Sequence, residues 1–179
     1  MELQFHVFRH VEMPDGLKWQ VIDVCTAAFD SSYEGLFSYL PTDAIHVMGH
    51  HAGKVISHVV ITERWCRAGT GPDLRCAYFD AVATRPEEQG NGYGAQTLEF
   101  AIRLCAERFS LCALSADAAI GWYERLGFLR WMGPLSIETP DGLSTHTTPP
   151  SITVLVFPLV EHLDLNLPLR GNWRPGLGW

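Results

Sequence analysis

The chain has 179 residues, of which 47% are apolar and 18% charged, with 13 Lys and Arg against 20 Asp and Glu for a formal net charge of −7. That length suits one domain with a sizeable core, and the composition excludes a disordered class. The acidic balance argues against a nucleic-acid partner and toward a cationic one, such as a polyamine or an aminosugar.

Leu3, Phe5 and Val7 alternate with polar residues, the pattern of an outer strand. Asp15 reads as a helix cap, followed by Leu17, Val21, Val24, Cys25 and Ala28 at helical spacing. A second short helix is expected around Leu36, Phe37 and Leu40, before Pro41. Residues 44–48 and 54–65 read as strands, joined by a hairpin turn at His50, His51, Ala52 and Gly53. A second turn at residues 69–73 leads into a strand over residues 74–84. Leu98, Ala101, Ile102, Cys105 and Phe109 form one helical stripe, and residues 111–115 make a short apolar strand of central type. Residues 117–126 read as a helix with Gly127 as its stop. Residues 128–132 and 152–157 are the last clear strands, and residues 139–151, rich in Pro, Thr and Gly, are expected to loop out. No internal repeat, linker or second domain is visible, so residues 1–179 are expected to form a single domain.

Five cysteines, Cys25, Cys66, Cys76, Cys105 and Cys112, lack CxxC spacing, and four sit in apolar runs. Buried free thiols in a reducing compartment are expected, with neither zinc nor disulfides. The N-terminal residues carry no apolar run of signal-peptide type and no stretch is long enough to span a bilayer. The expectation is a cytoplasmic protein that binds no membrane.

Two segments carry chemistry. Gln89, Gly90, Asn91, Gly92, Tyr93 and Gly94 lie between a strand and a helix. A helix start offers unpaired N–H donors and the positive end of its dipole, and glycines let a phosphate approach the backbone. No Gly-Lys-Ser/Thr ending follows, which argues against a P-loop. Taken alone, the segment is weak evidence for a ligand and reads first as a tight strand-to-helix turn. Further on, Tyr123-Glu124-Arg125-Leu126-Gly127-Phe128 closes a helix and re-enters a sheet. Beside Trp122 and Leu126, an isolated Tyr123 would read as a core residue.

In this order and spacing the two segments resemble the GNAT superfamily of acetyl-CoA-dependent N-acetyltransferases. The resemblance implies an α/β (α+β) fold, with a mixed, mostly antiparallel central sheet, about four flanking helices, and strands 4 and 5 splayed. It also implies acetyl-CoA as co-substrate, with no metal. The pyrophosphate would rest on Gln89 to Gly94, and Val82, Ala83 and Thr84 would run beside the pantetheine arm. The amide of Val82 or Ala83 would polarise the acetyl carbonyl and stabilise its oxyanion. Tyr123 would protonate the departing thiolate. No cysteine is placed to carry the acyl group, so direct attack in a ternary complex is expected.

Tyr78-Phe79-Asp80-Ala81-Val82, Leu114-Ser115 and the ending Asn172-Trp173-Arg174-Pro175-Gly176-Leu177-Gly178-Trp179 are similar to the aminoglycoside 2′-N-acetyltransferases within that superfamily. That likeness implies antibiotic resistance by acetylation of an aminoglycoside 2′-amine. Asp80 would act through water as base, and Asp30, Glu34, Ser115 and the terminal carboxylate of Trp179 would contact the substrate. An Asp can merely end a strand or pair with an Arg, but Asp80 interrupts an apolar strand, where Asp is rare, and the functional reading is preferred. The chain departs from that branch at Leu177-Gly178 and at residues 29–34, each with fewer matching carboxylates. A less cationic acceptor with its own carboxylate, kasugamycin, therefore enters as a candidate. Many relatives are homodimers, and Leu163, Leu165 and Leu167 are expected to supply an apolar interface strand. His50 and His51 are expected at a hairpin tip, and His46 and His58 as strand residues with ordinary hydrogen bonds.

Overall fold

The computed structural model describes residues 3–139, 142–145 and 152–172. In chain order the elements are β1 (Gln4–Arg9), α1 (Asp15–Phe29), α2 (Leu36–Tyr39), β2 (Ile45–His51), β3 (Lys54–Ala68) and β4 (Asp73–Thr84). They continue with α3 (Tyr93–Cys105), β5 (Leu111–Ala116), α4 (Ile120–Arg125), β6 (Leu129–Arg130) and β7 (Leu135–Thr139), and end with β8 (Gly142–Thr145), β9 (Thr153–Pro158) and β10 (Leu169–Asn172). The chain divides into two compact units. One holds Met1–Thr62 with Phe79–Leu104, and the other Glu63–Tyr78 with Cys105–Trp179.

In the first unit β1, β2 and β3 are antiparallel. The β2–β3 hairpin closes on Ala52 and Gly53, both with positive φ, as a two-residue turn between right-twisted strands requires. The register then slips. His50 faces Val55 but Gly49 faces Ser57, so Ile56 is an extra residue in β3. One side of the unit is an apolar core of Val21, Val24 and Cys25 from α1, Leu36 from α2, Met48, Val55 and Val60 from the hairpin, and Ala83 from β4. Burying each larger aliphatic side chain is worth about 1.5–3 kcal/mol. The start of α3 is pinned to β3 by Ser57 Oγ and Thr97 Oγ1, 2.6 Å apart. The ring of Phe5 stacks on that of Phe100 at 4.4 Å.

In the second unit the strands follow the order β6-β9-β5-β4-β3-β10-β7-β8. β4 and β5 are parallel, with rungs from Cys76–Leu111 to Tyr78–Ala113. β5 and β9 are antiparallel over six rungs. β10 lies antiparallel to β3 and parallel to β7. Tyr78, Leu111, Ala113, Trp131, Val154, Val156 and Leu169 form its core, and Trp131 Nε1–H donates to the Leu167 carbonyl at 2.9 Å. A mixed, mostly antiparallel sheet with four α-helices among the described residues is the expected fold class.

Several local expectations are corrected. Asp15 is the first helical residue, not the cap. Pro14 occupies the cap position, and the Asp15 carboxylate pairs with Lys18 at 2.9 Å. His50 and His51 belong to β2, leaving Ala52 and Gly53 as the turn. Strands β7 and β8 occupy part of the segment read as a loop, and β10 was not anticipated. Leu163, Leu165 and Leu167 lie in no strand, and Leu163 and Leu165 pack on the core of their own unit.

Candidate functional site

In the first unit the second half of β4 leads into the glycine turn. Ala81 has φ 46, a left-handed conformation that costs a non-glycine residue roughly 1–3 kcal/mol. A kink therefore falls in mid-strand, between Asp80 and Val82, all three half-buried. The Oδ2 atom of Asp80 is out of solvent. Its charge is felt by Tyr39, whose hydroxyl is pushed up to about 12, first by burial and then by Asp80 and Tyr33. Beyond the kink, Ala83 is buried in the core. The strand end is locked by Arg85, which donates through N–H to Ile56 O at 2.9 Å, through Nε to Val55 O at 2.9 Å, and pairs with Asp23 at 2.6 Å.

The turn itself is held from within. Gln89 Nε2 donates to Thr84 O at 3.1 Å, and Asn91 Nδ2 reaches Glu88 Oε2 at 3.4 Å. Gly90 and Gly92 both have positive φ, at 82° and 79°. A Cβ at Gly90 would meet nothing within 4 Å, and one at Gly92 would meet only Gln96 Nε2 at 3.8 Å. The glycines are therefore needed for backbone conformation and leave open space above the amides. Tyr93 and Gly94 begin the 13-residue helix α3, whose first N–H groups lack carbonyl partners within the helix. An open backbone at a helix N-terminus fits a diphosphate.

Asp30 and Glu34 come together in a separate cleft of about 540 Å³, lined also by Trp19, Ile22, Asp23, Thr26, Ser31 and Ser32. Asp80 is not among the residues lining it. Asp30 ends α1 in the left-handed conformation.

In the second unit Tyr123 sits on α4, 8% exposed, edge-on to Trp122 at 4.8 Å and to Phe128 at 5.8 Å. Burial pushes its hydroxyl up to about 12, so it stays protonated and keeps an O–H to donate. Ser115 on β5 shares a 2.7 Å hydrogen bond with the Tyr78 hydroxyl, and the Arg64 guanidinium lies 3.7 Å from the centre of the Tyr78 ring. Trp179 lies outside the described residues. All five cysteines are free and buried. Burial lifts the Cys25 thiol to about 12. Hydrogen bonds that the Cys76 and Cys112 thiols donate to Cys66 and Cys105, and then burial, push those two thiols up as well. Protonated thiols are poor nucleophiles, which fits transfer without an acyl-cysteine. Among the described residues no cluster of His, Cys, Asp or Glu is arranged to hold a metal ion, and no helix is long and apolar enough to cross a membrane.

The model of the acetyltransferase (GNAT) family matches residues 18–128. The chain belongs to the GNAT acetyltransferase family. This acetyltransferase is 31% identical over 160 residues to the aminoglycoside 2′-N-acetyltransferase of Mycolicibacterium fortuitum, covering 83% of this chain and 80% of that one. Its fold is shared with the GNAT family N-acetyltransferase YhbS of Escherichia coli, solved in complex with CoA, at TM-score 0.61 and 17% identity over 95% of this chain and 91% of that chain. An acyl-CoA N-acyltransferase from Pseudomonas aeruginosa is similar at TM-score 0.61 and 16% identity, over 87% and 99% of the two chains.

Sequence reasoning missed three features around Asp80. Tyr39 is its electrostatic neighbour, Arg85 fixes the strand end, and His46 and His58 are more than ordinary strand residues. Arg85 lies just past the strand expected over residues 74–84, where no motif marks it. The histidines were visible only through the hairpin register.

Proposed function

We propose that this acetyltransferase moves acetyl from acetyl-CoA to the 2′-amino group of an aminoglycoside antibiotic, that residues 1–179 work as one transferase domain, and that it acts in the cytoplasm. The observation that carries the reading is the 31% identity with the Mycolicibacterium fortuitum enzyme across most of both chains. Acetyl-CoA supplies an activated acyl group. The turn Gln89–Gly94 and the start of α3 hold its diphosphate by backbone N–H donation. The N–H of Val82 or of Ala83 would donate to the acetyl oxygen, with Thr84 alongside the cofactor. Asp80, through water, takes the proton that an ammonium must lose before it can attack. Tyr123 donates to the departing sulfur. A phenol lifted to about 12 is a weaker acid than a thiol of about 8.5, so its contribution is a hydrogen bond until the thiolate is desolvated. Ser115 and the Trp179 carboxylate would complete substrate contacts. Acetylation removes one positive charge from the drug and weakens its RNA contacts, which confers resistance. Homodimeric assembly belongs to the same proposal and is tested by sedimentation.

Kasugamycin is the second acceptor, resting on the departures at residues 29–34 and Leu177-Gly178. The grouping of Asp30 and Glu34 around one cleft, in addition to Asp23, which pairs with Arg85, favours polycationic drugs over a carboxylate-bearing one. Thiol release from acetyl-CoA is measured with gentamicin-type drugs, kasugamycin, spermidine and an N-terminal peptide, and the product is located by NMR. Release with a 2′-amino drug and acetylation at the 2′ nitrogen are expected. CoA binding with no thiol release from any amine would mark a sensor, and preference for spermidine or peptide would reject the aminoglycoside.

A further inference from the structure

Three histidines form a hydrogen-bonded chain inside the first unit. His10 Nδ1 lies 3.2 Å from His46 Nε2, His46 Nδ1 lies 3.0 Å from His58 Nε2, and His58 Nδ1 lies 3.0 Å from the carbonyl of Ala81. With all rings neutral, the chain has one consistent set of tautomers. A carbonyl oxygen only accepts, so His58 carries its proton on Nδ1. Its Nε2 then accepts, which puts the proton of His46 on Nδ1, and the same step puts that of His10 on Nδ1. The Nδ1–H groups of His46 and His58 point toward Ala81, while His10, at the outer end, also hydrogen-bonds the backbone of Phe37.

The surroundings enforce neutrality. His46 and His58 are fully buried. Burial, and then the charges of His58 and His10, pull His46 down to about 2. Burial pulls His58 down to about 4, against the opposing pull of the Ala81 carbonyl. Phe37 stacks on His10 at 5.4 Å and on His46 at 5.1 Å, fixing both ring planes. Cys25 Sγ, 3.7 Å from His58 Nδ1, is a weak second acceptor for the same N–H.

The chain ends on the one residue of β4 with a positive φ. A carbonyl passes no proton onward, so the chain is no conduit. Its terminal bond can only hold a backbone group in place, and that group lies between Asp80 and Val82. Desolvating the two buried imidazoles costs more than filling the same space with apolar side chains, and what it gives in return is a donor aimed at the kink.

We propose that His58, oriented by His46 and His10, is a positioning residue that fixes the β4 kink at Ala81 and so aims the Asp80 carboxylate and the Val82 N–H in acyl transfer. This rests on the acetyltransferase function proposed above.

The test compares His58→Leu with His58→Asn. The Asn amide nitrogen falls where Nδ1 stood and keeps a donor for Ala81, whereas Leu keeps the bulk and removes the donor. Displacing a reacting group by about 1 Å costs about 100-fold in rate, so H58L is expected to lose about that much kcat, with KM and CoA affinity little changed. H58N is expected to recover most of the loss. Equal rates for H58L and H58N, or a loss that falls on KM or CoA affinity, would overturn the proposal. Should H58L not fold, nitrogen-15 NMR of the unsubstituted protein decides. Nδ1–H tautomers at His46 and His58 are expected, and an Nε2–H tautomer at His58 would overturn it. An unsubstituted protein that acetylates no amine would instead sink the transferase reading itself, and the positioning role with it.

Discussion

The two halves of β4 solve the same problem in different ways. In the second unit, its first half is a regular strand, with parallel rungs from Cys76 to Tyr78 on β5, an Arg75–Glu63 ion pair at 2.7 Å and a Tyr78–Ser115 hydrogen bond at 2.7 Å. In the first unit, its other half stays beside β3 but is kinked at Ala81, and side chains add to its hold, with His58 on the Ala81 carbonyl and Arg85 on Val55 O. A ladder satisfies its own backbone groups and leaves none over for a ligand. A kink frees them, and must then be fixed by groups that are not ladder partners. The residues proposed for chemistry, Asp80 and Val82, lie in the kinked half.

The strongest way to break that contrast is Asp80→Asn. Loss of a general base is expected to lower kcat by about 10²–10⁴-fold while CoA binding and thermal stability hold. An unchanged kcat would leave the kink without a catalytic purpose.

A second test reads the buried histidines through stability. His46 and His58 titrate lower in the folded chain, near 2 and 4, than the ordinary 6.5 expected of the unfolded chain. The unfolded chain therefore binds more protons between those values, and stability must fall as pH drops below about 6.5. Between pH 7 and 5 the loss is expected to reach about 2 kcal/mol per ring, a drop of roughly 2–4 °C in Tm for each kcal/mol. A melting temperature flat across that range, or one that falls as steeply in His46→Leu, would contradict the neutral chain.

The smallest expected effect belongs to the other unit. Tyr123→Phe removes a hydroxyl without emptying its aromatic pocket, and a lost hydrogen bond to a charged sulfur of about 1.5 kcal/mol predicts roughly tenfold in kcat. The loss should shrink when the leaving thiol is made more acidic. A loss that is insensitive to the leaving group would return Tyr123 to the core.

The glycine turn and the Tyr123 segment were legible because each is written in a few contiguous residues with local backbone demands. The histidine chain was not, and the reason is Ile56. Without that extra residue His58 would face Val47 and point away from His46. With it, His58 faces Met48 and shares the face of His46. A one-residue slip of this kind leaves no mark in the alternation of a run as apolar as 55–62. Strands β7 and β10 were hidden differently: each is only a few residues long and finds its parallel partner some thirty residues away along the chain, beyond the reach of any local pattern. At Asp15 the local rule was sound, but Pro14 already supplied an extended cap, with φ −60 and ψ 143.

Calorimetric titration of CoA into the unsubstituted protein and into Gly92→Val tests the account most directly. A β-branched residue forced to φ 79 is strained by roughly 1–3 kcal/mol. The account predicts a one-to-one heat of binding for the unsubstituted protein and an affinity weakened by at least about tenfold in the variant. No heat with either protein, or the same affinity for both, would contradict it.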